Sequence, residues 1–280
     1  MAGDKRFAVL IDADNISDKY IKVILDEISN DGIATYKRIY GNWTSTALSS
    51  WKTVLLDYSI TPIQQYSYTT GKNATDSAMI IDAMDILYSD RVDGFCLVSS
   101  DSDFTRLAAR LRESGMLVVG MGEKKTPKPF IAACNRFKYL DVLAEADTAK
   151  AAPQPAPTPA PQPAEPPAPA PEKAGKSPVK AAKGGKQAQQ PQGSQRQLEE
   201  TEDLAAVRAA IRAIVAENSD EDDWLSVSTI GNMLVKRQPD FDVRNFGFSK
   251  LTQFIQALGM FEVRIVRKKD NTRQAYVREK

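Results

Sequence analysis

The sequence predicts a three-layer α/β domain on a parallel sheet, then a disordered linker, then a small winged helix-turn-helix domain. Three observations carry that expectation. Over 6–140, short β-branched runs alternate with amphipathic stretches, and repeated strand–helix–strand order implies parallel pairing with right-handed crossovers and helices on both faces. Over 151–196 the composition turns abruptly to Pro/Ala and then to Lys. Residues 197–280 regain helical periodicity and close on a hairpin pattern. The boundaries drawn from these shifts are 1–147, 148–197 and 198–280.

Taken in order, Phe7–Ile11 (FAVLI) is a nearly continuous apolar run, as a strand buried on both faces requires. Ser17 is positioned to cap a helix over 18–30. Ile33–Tyr40 reads as a strand, 45–57 as a helix and Thr61–Tyr66 as a third strand. Asn73 or Thr75 opens a helix over 75–89, with Met79, Ile80, Ala83, Met84 and Leu87 at helical spacing. Phe95–Val98 is a second buried strand, 103–114 a helix ending before Gly115, and Leu117–Met121 a further strand ahead of a short helix near 129–134.

The block PQPAPTPAPQPAEPPAPAP suits an extended polyproline-like spacer, and EKAGKSPVKAAKGGKQAQQPQGSQR a flexible basic tail. A soluble linker and a basic arm holding nucleic-acid phosphates are both compatible with that composition. In the last segment, Leu204, Val207, Ile211, Ile214 and Val215 mark one amphipathic helix. Val227, Ile230, Met233 and Leu234 mark a second. Phe248, Leu251, Phe254, Ile255 and Leu258 mark a third, stopped by Gly259. Phe261–Arg267 and Gln274–Arg278 then flank a Lys-Lys-Asp-Asn-Thr turn. Charge is polarised here: 197–223 holds nine acidic and two basic residues, 236–280 eleven basic and five acidic. The excess gathers on the hairpin at Arg264, Arg267, Lys268, Lys269, Arg273 and Arg278, a face suited to phosphate contact.

Composition narrows the chemistry. The net charge of +1 forecasts no polyanionic partner in bulk, so any such surface is local. Cys96 and Cys134 lie in apolar surroundings and read as buried free thiols. With neither a leader pattern nor an apolar run of membrane-spanning length, a cytoplasmic protein without a membrane partner is expected. The chain contains no histidine, which removes Ser-His-Asp and Cys-His catalysis, histidine bases and histidine metal sites. Carboxylates, lysines, hydroxyls and a hard metal remain.

Three acidic motifs fall at equivalent places. Asp12 and Asp14 follow the FAVLI strand, Asp101 and Asp103 follow FCLV, and Asp76 opens the 75–89 helix just after the loop Gly71-Lys72-Asn73. In open parallel sheets ligands bind beyond the carboxyl ends of the strands, at the switch point. If the first and fourth strands are central neighbours, Asp12 and Asp101 meet there and Asp76 joins from a helix N-terminus. Singly, Asp103 also reads as a helix cap and Asp14 as a turn residue with Asn15. Together, the carboxylates Asp12, Asp76, Asp101 and Asp103 repel unless protonated or bridged by a cation, and an all-oxygen set suits Mg²⁺ or Mn²⁺.

Such a site serves phosphodiester hydrolysis, leaving a 5′-phosphate and a 3′-hydroxyl. Lys72 stands where it would steady the scissile phosphate, Asn15 and Ser100 where they would orient ligands or waters. Lys124, Lys125 and Lys128 would track a nucleic-acid backbone or simply be a solvated loop. Asp82 and Asp85 fall on a different face of the helix from Asp76 and read as solvated or supporting.

The segments IDADNIS at 11–17, GKNATDSAMIIDAMDILY at 71–88 and LVSSDSDFTRLAARLRESG at 97–115 resemble the NYN domain, nearest its LabA-like branch in the PIN-like nuclease superfamily. The resemblance covers 6–140. It implies a PIN-like (Rossmann-like) fold and a Mg²⁺ or Mn²⁺ ribonuclease site, with the family's acids at Asp12, Asp76, Asp101 and Asp103 and Asn15 in support. The family's Ser-Gly-Asp reads Ser99-Ser100-Asp101 here, which adds a side chain. FGFSKLTQFIQAL and the following FEVR resemble the OST-HTH/LOTUS domain over 200–280, implying RNA binding. Two rivals stand beside this reading. A phosphatase of the HAD type would use Asp12-Ala13-Asp14 as an Asp-x-Asp nucleophile motif, but Asn15-Ile16 and the Asp76 motif fit it poorly. A non-catalytic RNA-binding scaffold would keep the acids without cutting.

Overall fold

A computed structural model describes residues 4–66, 74–151, 202–219, 223–267 and 273–280. Lys72, Asn73, Lys268, Lys269, the hairpin turn and most of the expected linker lie outside these residues.

The first module is a six-stranded parallel sheet. Its strands are β1 (Arg6–Asp12), β2 (Ile33–Gly41), β3 (Thr61–Gln64), β4 (Gly94–Val98), β5 (Leu117–Gly122) and β6 (Arg136–Tyr139), in the order β3-β2-β1-β4-β5-β6. Strands β1 and β4 pair in register from Phe7↔Gly94 to Ile11↔Val98, so the order reverses direction between them and a crevice opens at their carboxyl ends.

The FAVLI run is continuous because both faces of β1 are covered. Phe7, Val9 and Ile11 pack with Ile24 and Ile28 of α1 (Ile21–Asp31), Trp51 of α2 (Ser49–Val54) and Leu143 of α6 (Leu140–Ala151). Ala8 and Leu10 pack with Met79, Ala83 and Ile86 of α3 (Ala74–Tyr88), Leu107 and Leu111 of α4 (Thr105–Glu113) and Phe130 of α5 (Lys128–Ala133). Each large apolar side chain buried this way contributes about 1.5–3 kcal/mol. Cys96 and Cys134 are buried and free.

Several elements differ from expectation. The chain after Ser17 turns as a 3-10 helix over Asp18–Tyr20 before α1 begins at Ile21, and the Ser17 hydroxyl makes no cap bond. The 45–57 helix is a 3-10 turn over Thr46–Leu48 followed by the six-residue α2; Ser45 accepts the Ala47 N–H at its start. Strand β6 was not expected, because RFKY carries two cations and no apolar run. It is an edge strand, where charge discourages stray pairing. Gly120 of β5 makes room for it: a Cβ there would meet Phe137 Cδ2 at 2.5 Å and Cys134 Sγ at 2.7 Å.

The second module is the expected winged helix. Helices α7 (Glu202–Asn218), α8 (Val227–Arg237) and α9 (Leu251–Ala257) pack with β7 (Leu225–Ser226), β8 (Phe261–Arg267) and β9 (Arg273–Glu279), an antiparallel sheet in the order β7-β9-β8. The core joins Leu204, Ile211 and Ile214 to Ile230, Leu234, Phe254 and Val277. Ser226 caps α8 by accepting the Thr229 N–H at 3.1 Å. The connection from α8 to α9 turns at Gly247, whose φ of 76° is left-handed and favours glycine. Phe241, Phe246 and Phe248 gather around Phe254 behind that turn. The aromatic-Gly-Phe sequence is thus a packed corner.

Candidate metal centre

Three chain segments meet at the β1/β4 crevice. β1 ends on Asp12, which is wholly buried. Its Oδ1 accepts the Asp14 N–H at 3.0 Å and its Oδ2 accepts Asn15 Nδ2 at 2.8 Å, so Asp12 itself holds the turn that carries Asp14 and Asn15. Ser99, one residue past the last β1–β4 pair, donates its hydroxyl to Asp12 Oδ2 at 2.7 Å and accepts the Asp101 N–H at 3.0 Å. Sequence reasoning passed over Ser99 in favour of Ser100. The signal available was its register, immediately after a strand paired with β1.

Beyond Ser99 the chain forms a 3-10 turn over Ser102–Phe104 that leads into α4, and Asp101 caps it by accepting the Asp103 N–H at 2.9 Å. The cap is therefore Asp101, while Asp103 stands exposed in the first turn. Asp76 arrives half-buried from the first turn of α3. One carboxylate oxygen from each of Asp76, Asp101 and Asp103 lies within 4.8 Å of the others. Asp12 is not one of these three, but its charge acts on Asp76. It has used about three of a carboxylate's roughly four acceptor positions.

The electrostatics follow from this crowding. Burial raises the Asp12 carboxyl above its ordinary range, and the bonds from Ser99, Asn15 and the Asp14 N–H oppose the rise. Asp76 is pushed up to about 6, first by burial and then by the charges of Asp12, Asp101, Asp103 and Asp14. Three or four anions held this close are stable when protonated or when a cation shares them. The donor set is all carboxylate oxygen, which fits a hard divalent ion such as Mg²⁺ or Mn²⁺.

The supporting residues take up distinct positions. Asn15 binds Asp12, and Asp14 is exposed on the rim. The Ser100 hydroxyl accepts the Glu123 N–H at 2.9 Å, tying the β4 loop to the end of β5. Lys124 and Lys125 lie exposed on the loop after β5, Lys125 paired with Glu123 at 2.7 Å. Asp82 of α3 binds Arg38 and Tyr40 of β2, so it fastens the helix to the sheet, while Asp85 is exposed. On the second module, Arg264, Arg267 and Arg273 are exposed on the hairpin, and Arg264 and Arg278 lie over the Trp224 ring at 6.0 and 4.9 Å.

Comparison with known proteins identifies both modules. Residues 6–141 match the NYN domain model, and 202–271 match that of the OST-HTH/LOTUS domain. The chain carries an NYN domain followed by an OST-HTH/LOTUS domain. The NYN match spans all three acidic segments, and the fold it accompanies is the parallel, helix-flanked sheet described above. A Vibrio parahaemolyticus protein described as of unknown function is similar in structure, at 18% identity over 49% of this chain and 93% of that one, with a TM-score of 0.42. No curated protein matches the chain. No helix among the described residues is long and apolar enough to cross a membrane.

Proposed function

We propose that the chain is a Mg²⁺- or Mn²⁺-dependent ribonuclease of the cytoplasm, cutting RNA phosphodiesters at the NYN crevice and recruiting RNA through the LOTUS module. The observation that carries this reading is the convergence of Asp76, Asp101 and Asp103 on one point, with the Asp76 carboxyl driven up to about 6 by its neighbours. Asp76, Asp101 and Asp103 are the residues that would hold the ion, and buried Asp12 would add its charge and its remaining acceptor position. A divalent cation there supplies an acidified water and neutralises the non-bridging oxygens of a phosphodiester. Ser99 and Asn15 keep Asp12 oriented, and the Asp101 cap keeps Asp103 facing the same crevice.

RNA contact is assigned to Lys124 and Lys125 beside the crevice, with Lys72 before α3, and to Arg264, Arg267, Lys268, Lys269 and Arg273 on the hairpin. Arg267 and Arg273 face each other directly across β8 and β9. Like charges in that position destabilise a hairpin, and a phosphate between them removes the penalty. A phosphatase working through an aspartyl-phosphate is disfavoured by Asp12, whose carboxylate is buried and already hydrogen-bonded on both oxygens.

The test is cleavage of labelled single-stranded RNA with Mn²⁺, using Asp12→Asn and Asp101→Asn as controls. Cleavage by the native protein and its loss in both variants is the expected result. Absence of cleavage in the native protein supports the scaffold reading, and cleavage that survives both substitutions overturns the site assignment.

A further inference from the structure

The LOTUS module is not merely tethered to the NYN domain. The connection between α8 and α9 lies against the outer edge of β6 and the end of α1. The Phe137 N–H of β6 donates to the Pro239 carbonyl oxygen at 2.7 Å. The Tyr139 hydroxyl donates to Asp240 Oδ2 at 2.9 Å. Arg244 reaches from the second module to the first, its Nη1 and Nη2 donating to the two oxygens of Glu27 at 2.5 and 3.1 Å. The same guanidinium is held at its other edge by Asp242, through Nε at 3.0 Å and Nη2 at 2.6 Å.

Two features mark this as a built surface. The first is Glu27, which is only 9% exposed. It shares α1 with Asp31, four residues on, a spacing at which like charges repel. Lys138 of β6 relieves the pair, with Nζ at 2.9 Å from Glu27 and 2.9 Å from Asp31, and Arg136 meets Asp31 at 2.8 Å. Arg244 supplies the remaining cation in the bidentate geometry its fork is shaped for. The second is the edge of β6. An uncovered edge strand offers unpaired N–H groups to any passing strand, and the Pro239–Asp240 segment caps this one. Strands β8 and β9 contribute no bond to the contact among the described residues, so the hairpin arginines stay exposed.

We infer that the α8–α9 connection is a latch, closed on Glu27 by Arg244, that holds the LOTUS module on the edge of the NYN sheet so that both modules engage one RNA as a unit. The consequence for RNA rests on the proposed nuclease function; the latch itself does not. Tethering favours it: an intramolecular partner is present at an effective concentration of about millimolar, so a contact too weak to join separate molecules is populated within one chain. Removing one partner of a bidentate, largely desolvated pair is costly, and the docked fraction falls at least ten-fold.

The experiment uses the full chain with labels at Leu56→Cys and Gln256→Cys, both exposed positions, leaving buried Cys96 and Cys134 unlabelled. An inter-label distance distribution is measured without RNA or metal, in the native background and with Arg244→Met, Glu27→Gln and both together. Thermal melts of each variant verify folding. One narrow distance in the native protein, broadened in either variant and no further in the double, supports the latch. A broad native distribution, or a narrow one that survives both substitutions, overturns it.

RNA assays then test the coupling. Arg244→Met should lower kcat/KM about ten-fold on long RNA and leave a short oligonucleotide, which cannot span both modules, unaffected. Equal loss on both substrates overturns the coupling. Distances that respond as expected, without RNA cleavage by any form, remove the nuclease reading and leave the latch standing.

Discussion

At the scale of single residues, Asp76 is the carboxylate under most electrostatic pressure in the crevice. Its folded value, about 6, lies above the ordinary 3.8, so between those pH values the native state binds a proton that the unfolded chain has released. Stability of the metal-free protein therefore falls as pH rises from about 4 to above 6, and a cation held by the crevice would restore it at neutral pH. Asp76→Asn should raise the metal-free melting temperature at pH 7, change it little below pH 4, and abolish both the Mn²⁺-induced rise and cleavage. Melts with and without Mn²⁺ check this, and a lower metal-free melting temperature at pH 7 would refute it. The acids themselves were legible in the sequence because each follows a strand or opens a helix. Ser99 was not: two adjacent serines look alike until the β1–β4 register brings one of them within 2.7 Å of Asp12.

At the scale of elements, the geometry of the crevice depends on how α3 is fastened. Asp82 binds both Arg38 and the buried Tyr40 hydroxyl on β2, and burial with the neighbouring Asp82 carboxylate pushes the Tyr40 phenol upward. Asp82→Ala leaves that hydroxyl without an acceptor and should cost about 1–3 kcal/mol, together with weaker Mn²⁺ binding as the first turn of α3 loosens. Asp85→Ala, at an exposed position on the same helix, should stay within about 0.5 kcal/mol of native. Chemical denaturation and Mn²⁺ titration of the two variants separate the cases. The helical pattern of α3 located the helix within a residue at each end. It did not reveal Asp82 as an anchor, because helix periodicity describes angles around one axis and says nothing of which strand stands opposite. Strand β6 escaped for a related reason: an edge strand with a charged, half-buried sequence has no apolar run to announce it.

At the scale of the whole molecule, the proposed function would give RNA recruitment to one module and cleavage to the other. Deleting 198–280 should weaken RNA binding and reduce its salt dependence, since each lost phosphate contact removes about 0.9 from the slope of log K against log salt for duplex and about 0.7 for single strands. Cleavage of a short oligonucleotide should persist. Binding isotherms at several salt concentrations check this, and an unchanged slope would remove the hairpin from RNA recognition. The truncated NYN domain would also expose Glu27 and the edge of β6.

What the amino-acid sequence determined alone was local: the strand and helix order of the NYN domain as far as α5, the winged-helix outline, the acidic residues at strand ends and the exclusion of histidine chemistry. Those features are written in periodicity, caps and composition within windows of ten or twenty residues. Tertiary structure decided which carboxylates share a crevice, that Asp12 is buried and held by Ser99, that Asp101 is the cap, and that Arg244 meets Glu27 between the modules. The Glu27–Arg244 pair joins residues 217 positions apart. No local pattern encodes such a pair, because its partners meet only once two separately packed cores have brought them face to face.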